Sequence, residues 1–310
     1  MIKNGVYLLK KRNSVFQKIN LFFLFCIVLV LAASCKSVPV ARNVNAVELL
    51  DDKSAFYIAI PSSADSKLIE RIIKNNVPAV SDSNAKFICE KISKVYCGIN
   101  RSKNNTEFQC VVDGNIPVNM MPKILSKKNG WTNSIFIPQN SVNQYKIFNI
   151  SKDSLNLDIA FPSQNTVCIG RDVKNMIDRY DFLHNLPAEN SVLDTQIEKS
   201  LAEYLLGAED EIRFFANKPQ SFLTVLLGVK LDLKLNEVKG AFMQDSKHEN
   251  QYLLNLHFNF KNEKYLKAGR TLLTLAFGLT NSNSVVTGTN ILEINGIKID
   301  KNQLYRLLVL

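Results

Sequence analysis

The chain has few of the residues and motifs from which enzyme active sites are built. Its 310 residues include three histidines and a single tryptophan, and no two cysteines have C-x-x-C spacing. A G-x-S-x-G elbow, an H-E-x-x-H helix, a Walker loop and a G-x-G-x-x-G loop are all missing. The histidines, His184, His248 and His257, stand in contexts that favour structural roles. We therefore expect no catalytic residue, no metal site and no cofactor.

A hydrophobic run long enough to span a bilayer is also missing. The longest apolar stretch, Leu21 to Leu31, falls short of the roughly 20 residues that a spanning helix needs. Five basic residues precede it, and small residues follow it up to Cys35, as in an export signal. A cysteine directly after such residues resembles a bacterial lipobox, which predicts a signal peptide over residues 1–34 and lipid on Cys35. An ordinary secretory signal followed by a coincidental cysteine is the alternative.

Basic residues are in excess, but they are not concentrated. The formal net charge is +10, and the five basic residues before Cys35 leave with the signal, so the remaining chain has a net charge of +5. Nucleic-acid binding needs a concentrated basic face, which the sequence does not show. We expect no nucleic-acid partner, while a mild attraction to anionic lipid headgroups stays open.

Four cysteines lie outside the signal and the predicted anchor: Cys89, Cys97, Cys110 and Cys168. Cys97 and Cys110 fall on two strand-like runs on either side of a polar loop at residues 100–105. A hairpin about that loop would place them nearly opposite each other, so a disulfide between them is one prediction. The alternative is that they are buried free thiols, because cysteine packs well in protein cores.

The order of the predicted elements indicates an α+β fold. Residues 35–54 look like an extended tether, and a first strand, Ala55 to Pro61, follows them. A similar strand, Ile212 to Pro219, begins a second series of the same kind, roughly 150 residues later. We predict two similar modules, residues 55–188 and 189–310, each a small, mainly antiparallel sheet with packed amphipathic helices. Two ordinary α+β units without duplication are the alternative.

Two predicted helices lack the charged face of an ordinary surface helix. They cover residues 221–227 and 271–279, and both are too short to span a bilayer. They are therefore buried against a sheet, bound to an apolar ligand or laid in a membrane interface, for which Lys264, Lys267 and Arg270 supply some basic charge. The candidate contact residues are Phe222, Leu223, Leu226, Leu227, Leu272, Leu273, Leu275, Phe277 and Leu279.

The lipobox and the Asn- and Lys-rich body with amphipathic helices resemble spirochaete, treponemal-type outer-membrane lipoproteins. The resemblance implies an exported protein anchored by lipid in the cell envelope, in the outer membrane, and only Cys35 carries over as a functional residue. We predict a non-enzymatic lipoprotein that binds lipid or inserts apolar helices into a membrane leaflet. Two alternatives are a protein-interaction or assembly lipoprotein, adhesin-like or structural, and an enzyme with a site built from scattered Asp, Ser or Tyr residues.

Overall fold

The computed structural model describes residues 41–77, 80–101, 106–152, 155–187, 192–227, 230–278 and 284–308. The chain divides into two compact units, residues 1–41 with 187–189 and residues 42–186 with 190–310. In the first unit, Ala41 and Pro187 form an isolated antiparallel bridge. The second unit, called the body below, contains the other described residues.

One antiparallel sheet of 12 strands organises the described part of the body. Its spatial order is β11-β12-β10-β9-β8-β1-β2-β3-β7-β6-β5-β4, so β11 and β4 form its two edges. The strands are β1 Phe56–Pro61, β2 Ile92–Arg101, β3 Thr106–Gly114, β4 Thr132–Phe136, β5 Tyr145–Lys152, β6 Leu155–Ala160, β7 Thr166–Gly170, β8 Ile212–Ala216, β9 Leu235–Gln244, β10 Gln251–Phe260, β11 Ser284–Thr287 and β12 Ile291–Asp300.

Helices cover both faces of this sheet. They are α1 Ser62–Asn76, α2 Asp82–Cys89, α3 Met121–Ile124, α4 Lys174–His184, α5 Lys199–Leu206, α6 Pro219–Leu227, α7 Glu263–Ala276 and α8 Lys301–Leu308, with 3-10 turns at Ala46–Leu49 and Lys127–Asn129. Helices α1, α2, α3, α6, α7 and α8 contribute to one hydrophobic core, on the first face of the sheet. Helices α4 and α5 and the first 3-10 turn contribute to the core on the second face.

Strand alternation separates these two cores. Along β1, Ile58 and Ile60 belong to the first core, whereas Tyr57 and Ala59 belong to the second. Successive side chains of a strand point to opposite faces, so a central strand covered on both sides is apolar at every position. The pattern differs on β10, where every second residue is buried and the residues between are half-buried.

The predicted α+β class is confirmed, but the two small sheets are one continuous sheet. The halves join where β1 and β8 pair in antiparallel register, with Ile58 opposite Phe214. Strands β1 and β8 are both apolar and buried, and each stands at the start of its half. Pairing them gives hydrogen-bond partners to the backbone groups along one edge of each strand. From this central pair the first half continues with α1, α2 and the β2–β3 hairpin, and the second half continues with α6 and the β9–β10 hairpin. The duplication and the module boundaries stay predictions.

The described part of the segment that was predicted to be a tether is folded. Val47 and Leu50 are fully buried in the second core, with Val44 and Leu49 nearby in the same cluster. The carboxylate of Glu48 forms a buried ion pair with Arg42 and accepts hydrogen bonds from the backbone N–H groups of Asn45 at 2.8 Å and Asp194 at 2.7 Å. Residues 42–50 are therefore part of the folded body rather than a tether. Residues 1–40, with the predicted signal and Cys35, lie outside the described residues.

The body contains a complete core of its own. Among the described residues, the strands of the sheet and the members of both hydrophobic clusters come from residues after Ala41. A unit with its own core can fold by itself, so a chain that begins at Arg42 is suitable for experiments.

Candidate membrane-contact site

Helix α7 packs one side firmly on the first face of the sheet. Its N-cap is Asn262, whose side chain accepts a hydrogen bond of 3.1 Å from the backbone N–H of Tyr265. Leu266, Gly269 and Leu273 are buried, at the spacing of one helical face. A Cβ atom on Gly269 would lie 2.2 Å from the ring of Phe260, so the helix approaches the sheet closely at this point. One side of α7 is therefore fixed against the sheet.

The solvent-facing part of α7 exposes apolar side chains. Leu275 is 74% exposed, Leu272 is 44% exposed and Tyr265 is 38% exposed, and we call these three residues the apolar stripe. Lys264 and Lys267, near the start of the helix, are exposed beside it, and Lys267 pairs with Glu263 at 2.9 Å. Helix α7 thus has a buried side, an exposed apolar side and charged residues near its N-terminus.

The sheet edge adds a further exposed apolar residue to the same face. Val286 on β11 pairs with Leu292, which is fully buried in the first core. Residues directly opposite each other in an antiparallel pair point to the same face, so Val286 lies on the face that α7 covers, where it is 40% exposed. The candidate contact residues chosen from the sequence did not include Tyr265 or Val286. A signal for Tyr265 was present, because Tyr265, Ala268, Leu272 and Leu275 recur at helical spacing.

Helix α6, the other apolar candidate, is mostly buried. The ring of Phe222 lies 4.7 Å from that of Phe214 and 5.4 Å from that of Phe56, between centroids. Leu223 and Leu226 belong to the first core, as does Leu273 of α7. These four predicted contact residues therefore face the core and not a membrane or ligand, because α6 packs between the sheet and α8. Leu227 and Phe277 are half-buried against the core, and Leu279 lies outside the described residues.

Helices of membrane-spanning length and apolarity do not occur among the described residues. Helix α7 has 14 residues, which at 1.5 Å per residue extend over about 21 Å, less than the roughly 30 Å of a bilayer core. An apolar stripe on such a helix suits contact with one leaflet, parallel to the surface.

The structure joins Cys97 and Cys110 in a disulfide. The two cysteines stand directly opposite each other on β2 and β3, and their Cα atoms are 4.1 Å apart. Cys89 and Cys168 are buried free thiols, and burial raises the pKa of both. Raised thiol pKa values leave little reactive thiolate at neutral pH.

A polar cluster ties α1 to the end of the chain. Oδ2 of Asp65 lies 2.9 Å from Nζ of Lys301, and the Oδ1 atom accepts a hydrogen bond of 3.0 Å from the backbone N–H of Leu68. Burial alone would raise the pKa of Asp65, but hydrogen bonds from Tyr252, Lys301 and Leu68 outweigh it and hold the pKa below 3.8. A carboxylate stabilised in this way is a structural anion, not a proton donor at neutral pH.

The three histidines have local partners. Nδ1 of His184 lies 3.1 Å from the carbonyl oxygen of Arg42, and Nδ1 of His248 lies 2.8 Å from Oδ2 of Asp245. Burial and the charge of Lys239 lower the pKa of His257 below 6.5. In the part of the chain that the structure describes, no three His, Cys, Asp or Glu side chains are placed to hold a metal ion.

A cleft of about 730 Å³ opens near Asp51 on the second face. Acidic, basic and amide side chains line it together with Phe108 and Phe182. Gln109 at its base donates to Oδ1 of Asp51 at 2.6 Å and accepts a hydrogen bond of 3.0 Å from the Asp51 backbone N–H. A lining that mixes charged and apolar side chains in this way is unlike the mostly apolar pocket that an apolar ligand prefers.

The described residues define an α+β protein in which an antiparallel sheet of 12 strands is covered by helices on both faces. The model of the outer membrane-associated lipoprotein TP0453 family matches residues 41–305, so the chain belongs to this family. This membership confirms the predicted resemblance to treponemal-type lipoproteins. It also confirms the predicted location, an exported, lipid-anchored protein of the cell envelope.

Solved structures show the same fold. Crystal form I of TP0453 aligns with a TM-score of 0.62 at 19% sequence identity, over 86% of this chain and 97% of that chain. Crystal form III gives 0.62 at 18% identity, over 86% and 98%, and crystal form IV gives 0.58 at 19% identity, over 86% and 97%. No curated protein sequence matches the chain.

Proposed function

We propose that lipid on Cys35 anchors this protein and that the apolar stripe of α7 brings its body into contact with the membrane leaflet. The observation that carries the proposal is the exposure of Leu272 and Leu275 on a helix whose other side is fixed to the sheet. A protein that is already associated with the outer membrane would have a nearby surface on which to bury them.

The combined size of the apolar stripe and Val286 suits reversible contact. Fully burying a leucine side chain contributes about 1.5–3 kcal/mol, so burying the exposed parts of Tyr265, Leu272, Leu275 and Val286 would contribute on the order of 4 kcal/mol. This is weak binding for a free protein. It is enough to orient a protein that two or three acyl chains already hold at the membrane.

Flotation with vesicles tests the proposal. The body, beginning at Arg42 and without lipid, is mixed with an excess of phosphatidylcholine vesicles and centrifuged through a density step. We expect part of it to float, and we expect the Leu272→Gln/Leu275→Gln variant to stay in the aqueous fraction. The matched control, Val142→Gln/Val192→Gln, changes two valines that are exposed elsewhere and should float like the unaltered body.

Either of two results would overturn the membrane contact. The unaltered body would stay wholly in the aqueous fraction, or the stripe variant would float as well as the control. Circular dichroism of each variant shows whether the fold is retained. Lipid on Cys35 has a separate test, because mass spectrometry of the protein isolated from its cell shows the acyl groups directly.

The proposed role is non-enzymatic and needs no cofactor. It does not include an apolar ligand, because charged and amide side chains line the Asp51 cleft together with its apolar residues. A second candidate function, protein interaction or assembly, has its own support. The outer sides of β4 and β11 pair with no other strand in the described residues, and free strand edges are common docking sites. A single protein partner retained in a pull-down, with no lipid found by native mass spectrometry, would favour it.

A further inference from the structure

One stretch of the chain has charge of a single sign. Between Asp113 and Asp153 there is no acidic residue, whereas five lysines lie there. They are Lys123, Lys127, Lys128, Lys146 and Lys152. Acidic residues are otherwise spread along the body, so this 39-residue gap indicates a surface on which basic charge is not neutralised locally.

Three of these lysines lie on the outside of a segment that covers the first face of the sheet. The apolar side chains of this segment point into the first core: Ile116, Met121, Ile124, Leu125 and Trp131. Lys123, Lys127 and Lys128 are exposed on the same short segment. The segment is therefore amphipathic, with its apolar residues on the sheet and its lysines towards solvent.

The fourth lysine lies on the same face of the sheet. Lys146 of β5 stands opposite Ile135 of β4, and both side chains are exposed, Ile135 to 59%. The next residue on this side of β5, Phe148, is buried in the first core, so Lys146 and Ile135 also point to the first face. Ile137 follows β4 and is 54% exposed. We call Lys123, Lys127, Lys128 and Lys146, with Ile135, the lysine patch.

The charge of the lysine patch is available to a partner. None of its four lysines forms an ion pair with a carboxylate of the described residues, although Nζ of Lys146 lies 5.4 Å from the centre of the Phe148 ring. On α7, in contrast, Lys267 is paired with Glu263. The apolar stripe thus has exposed hydrocarbon with partly neutralised charge, and the lysine patch has free positive charge with one exposed isoleucine.

We propose that the lysine patch is a second membrane contact, which selects leaflets that contain anionic phospholipids. This inference rests on the proposed membrane function. Both contacts lie on the first face of the sheet, one towards each edge, so they belong to the same side of the sheet. Lysines near an anionic surface each strengthen binding roughly fivefold, and a neighbouring apolar side chain enters the interface with them.

Binding to two kinds of vesicle tests the inference. The body is titrated with vesicles of phosphatidylcholine alone and with vesicles that also contain phosphatidylglycerol. The patch variant is Lys123→Gln/Lys127→Gln/Lys128→Gln/Lys146→Gln. The matched control removes the same charge from exposed lysines elsewhere, as Lys53→Gln/Lys174→Gln/Lys247→Gln/Lys298→Gln.

We expect the patch variant to lose about tenfold or more of its partition onto anionic vesicles and to bind neutral vesicles like the unaltered body. The control should lose much less. Raising the salt from about 0.1 M to about 1 M shortens the Debye length from about 10 to about 3 Å, so it should remove the preference for anionic vesicles in the unaltered body.

The outcomes separate this inference from the proposed function. Equal losses in the patch variant and the control would overturn the lysine patch but leave the apolar stripe intact. Binding of the stripe variant to neutral vesicles bears on the apolar stripe alone, because it does not depend on anionic lipid. An extended peptide of alternating glutamate and valine serves as a second probe. If it protects the β4 amides from hydrogen exchange while anionic vesicles do not, the patch binds an acidic protein segment and the membrane assignment is wrong.

Discussion

The hydroxyl group of Tyr252 donates a hydrogen bond of 2.7 Å to Oδ2 of Asp65, across 187 positions of sequence. Tyr252 lies on β10 and Asp65 lies at an interruption of α1, where its backbone leaves helical geometry. Both side chains are buried, and Lys301 of α8 binds the same carboxylate oxygen. This one carboxylate therefore connects α1, the sheet and α8.

We predict that Tyr252→Phe lowers the free energy of unfolding by about 1.5–3 kcal/mol, the usual contribution of a hydrogen bond to a charged group. Urea unfolding of the body measures it. Tyr265→Phe is the matched control, because Tyr265 is partly exposed on α7, and its change should stay within about 0.5 kcal/mol. Equal effects of the two substitutions would show that the Asp65 contact contributes nothing.

Asp65 also predicts a dependence of stability on pH. Its pKa is lowered in the folded state, so its contribution is present above the unfolded value of about 3.9 and is lost as the pH falls through the folded value. We expect the stability difference between the unaltered body and Asp65→Asn to shrink as the pH is lowered from about 5. Urea midpoints over a pH series measure this. A stability difference that stays constant over the whole pH series would contradict the prediction.

Truncation should destabilise the body strongly at one leucine of α7 and hardly at all at another. Leu273 is fully buried, so Leu273→Ala should lower the free energy of unfolding by about 2–5 kcal/mol. Leu275 is mostly exposed, so Leu275→Ala should change it by no more than about 0.5 kcal/mol. Urea unfolding of both variants decides the matter. A large loss at Leu275 would mean that the stripe is packed against protein.

Gly269→Ala should destabilise the body although alanine is the better helix former. The new Cβ would meet the Phe260 ring at 2.2 Å, and such overpacking costs about 1–3 kcal/mol, more than the roughly 1 kcal/mol gained in helix propensity. The neighbouring exposed position provides the comparison, since Ala268→Gly should lose only about 0.5–1 kcal/mol. Thermal unfolding ranks the two, and a more stable Gly269→Ala protein would contradict the close approach.

Reduction should weaken the body by opening the Cys97–Cys110 disulfide. The two cysteines are 13 residues apart, and cross-linking a loop of about that size contributes about 3 kcal/mol. Urea unfolding with and without a thiol reductant measures the loss. The Cys97→Ala/Cys110→Ala variant should be as weak as the reduced protein and should not respond to reductant. A response in that variant would point to Cys89 or Cys168 instead.

Local sequence patterns were sufficient for the fold class and for the hairpin that brings Cys97 and Cys110 together. Strand-like runs around a polar loop define a hairpin, and the register follows from the loop and from alternation. The pairing of β1 with β8 was not visible in the same way. This pairing joins strands that lie about 155 residues apart in the sequence. The residues of an apolar strand do not indicate which other apolar strand will be its neighbour.

The candidate site shows the same limit. Segments 221–227 and 271–279 look equally apolar in sequence. In the structure α6 packs against both the sheet and α8, whereas α7 buries Leu273 but leaves Leu272 and Leu275 exposed. Only tertiary packing separates them. The buried start of the body did leave a local signal, because Asn45 and Glu48 have the spacing of a capping box before Leu49 and Leu50.

The central pairing of β1 with β8 also determines how two molecules of this protein can exchange parts. If the halves separate, each presents an apolar strand edge that is complementary to the other, and β1 has no charged residue to block pairing. The first half of one molecule can then pair with the second half of another through the same register. A domain-swapped dimer built in this way would keep every strand contact of the monomer, because the exchange preserves the register of β1 and β8.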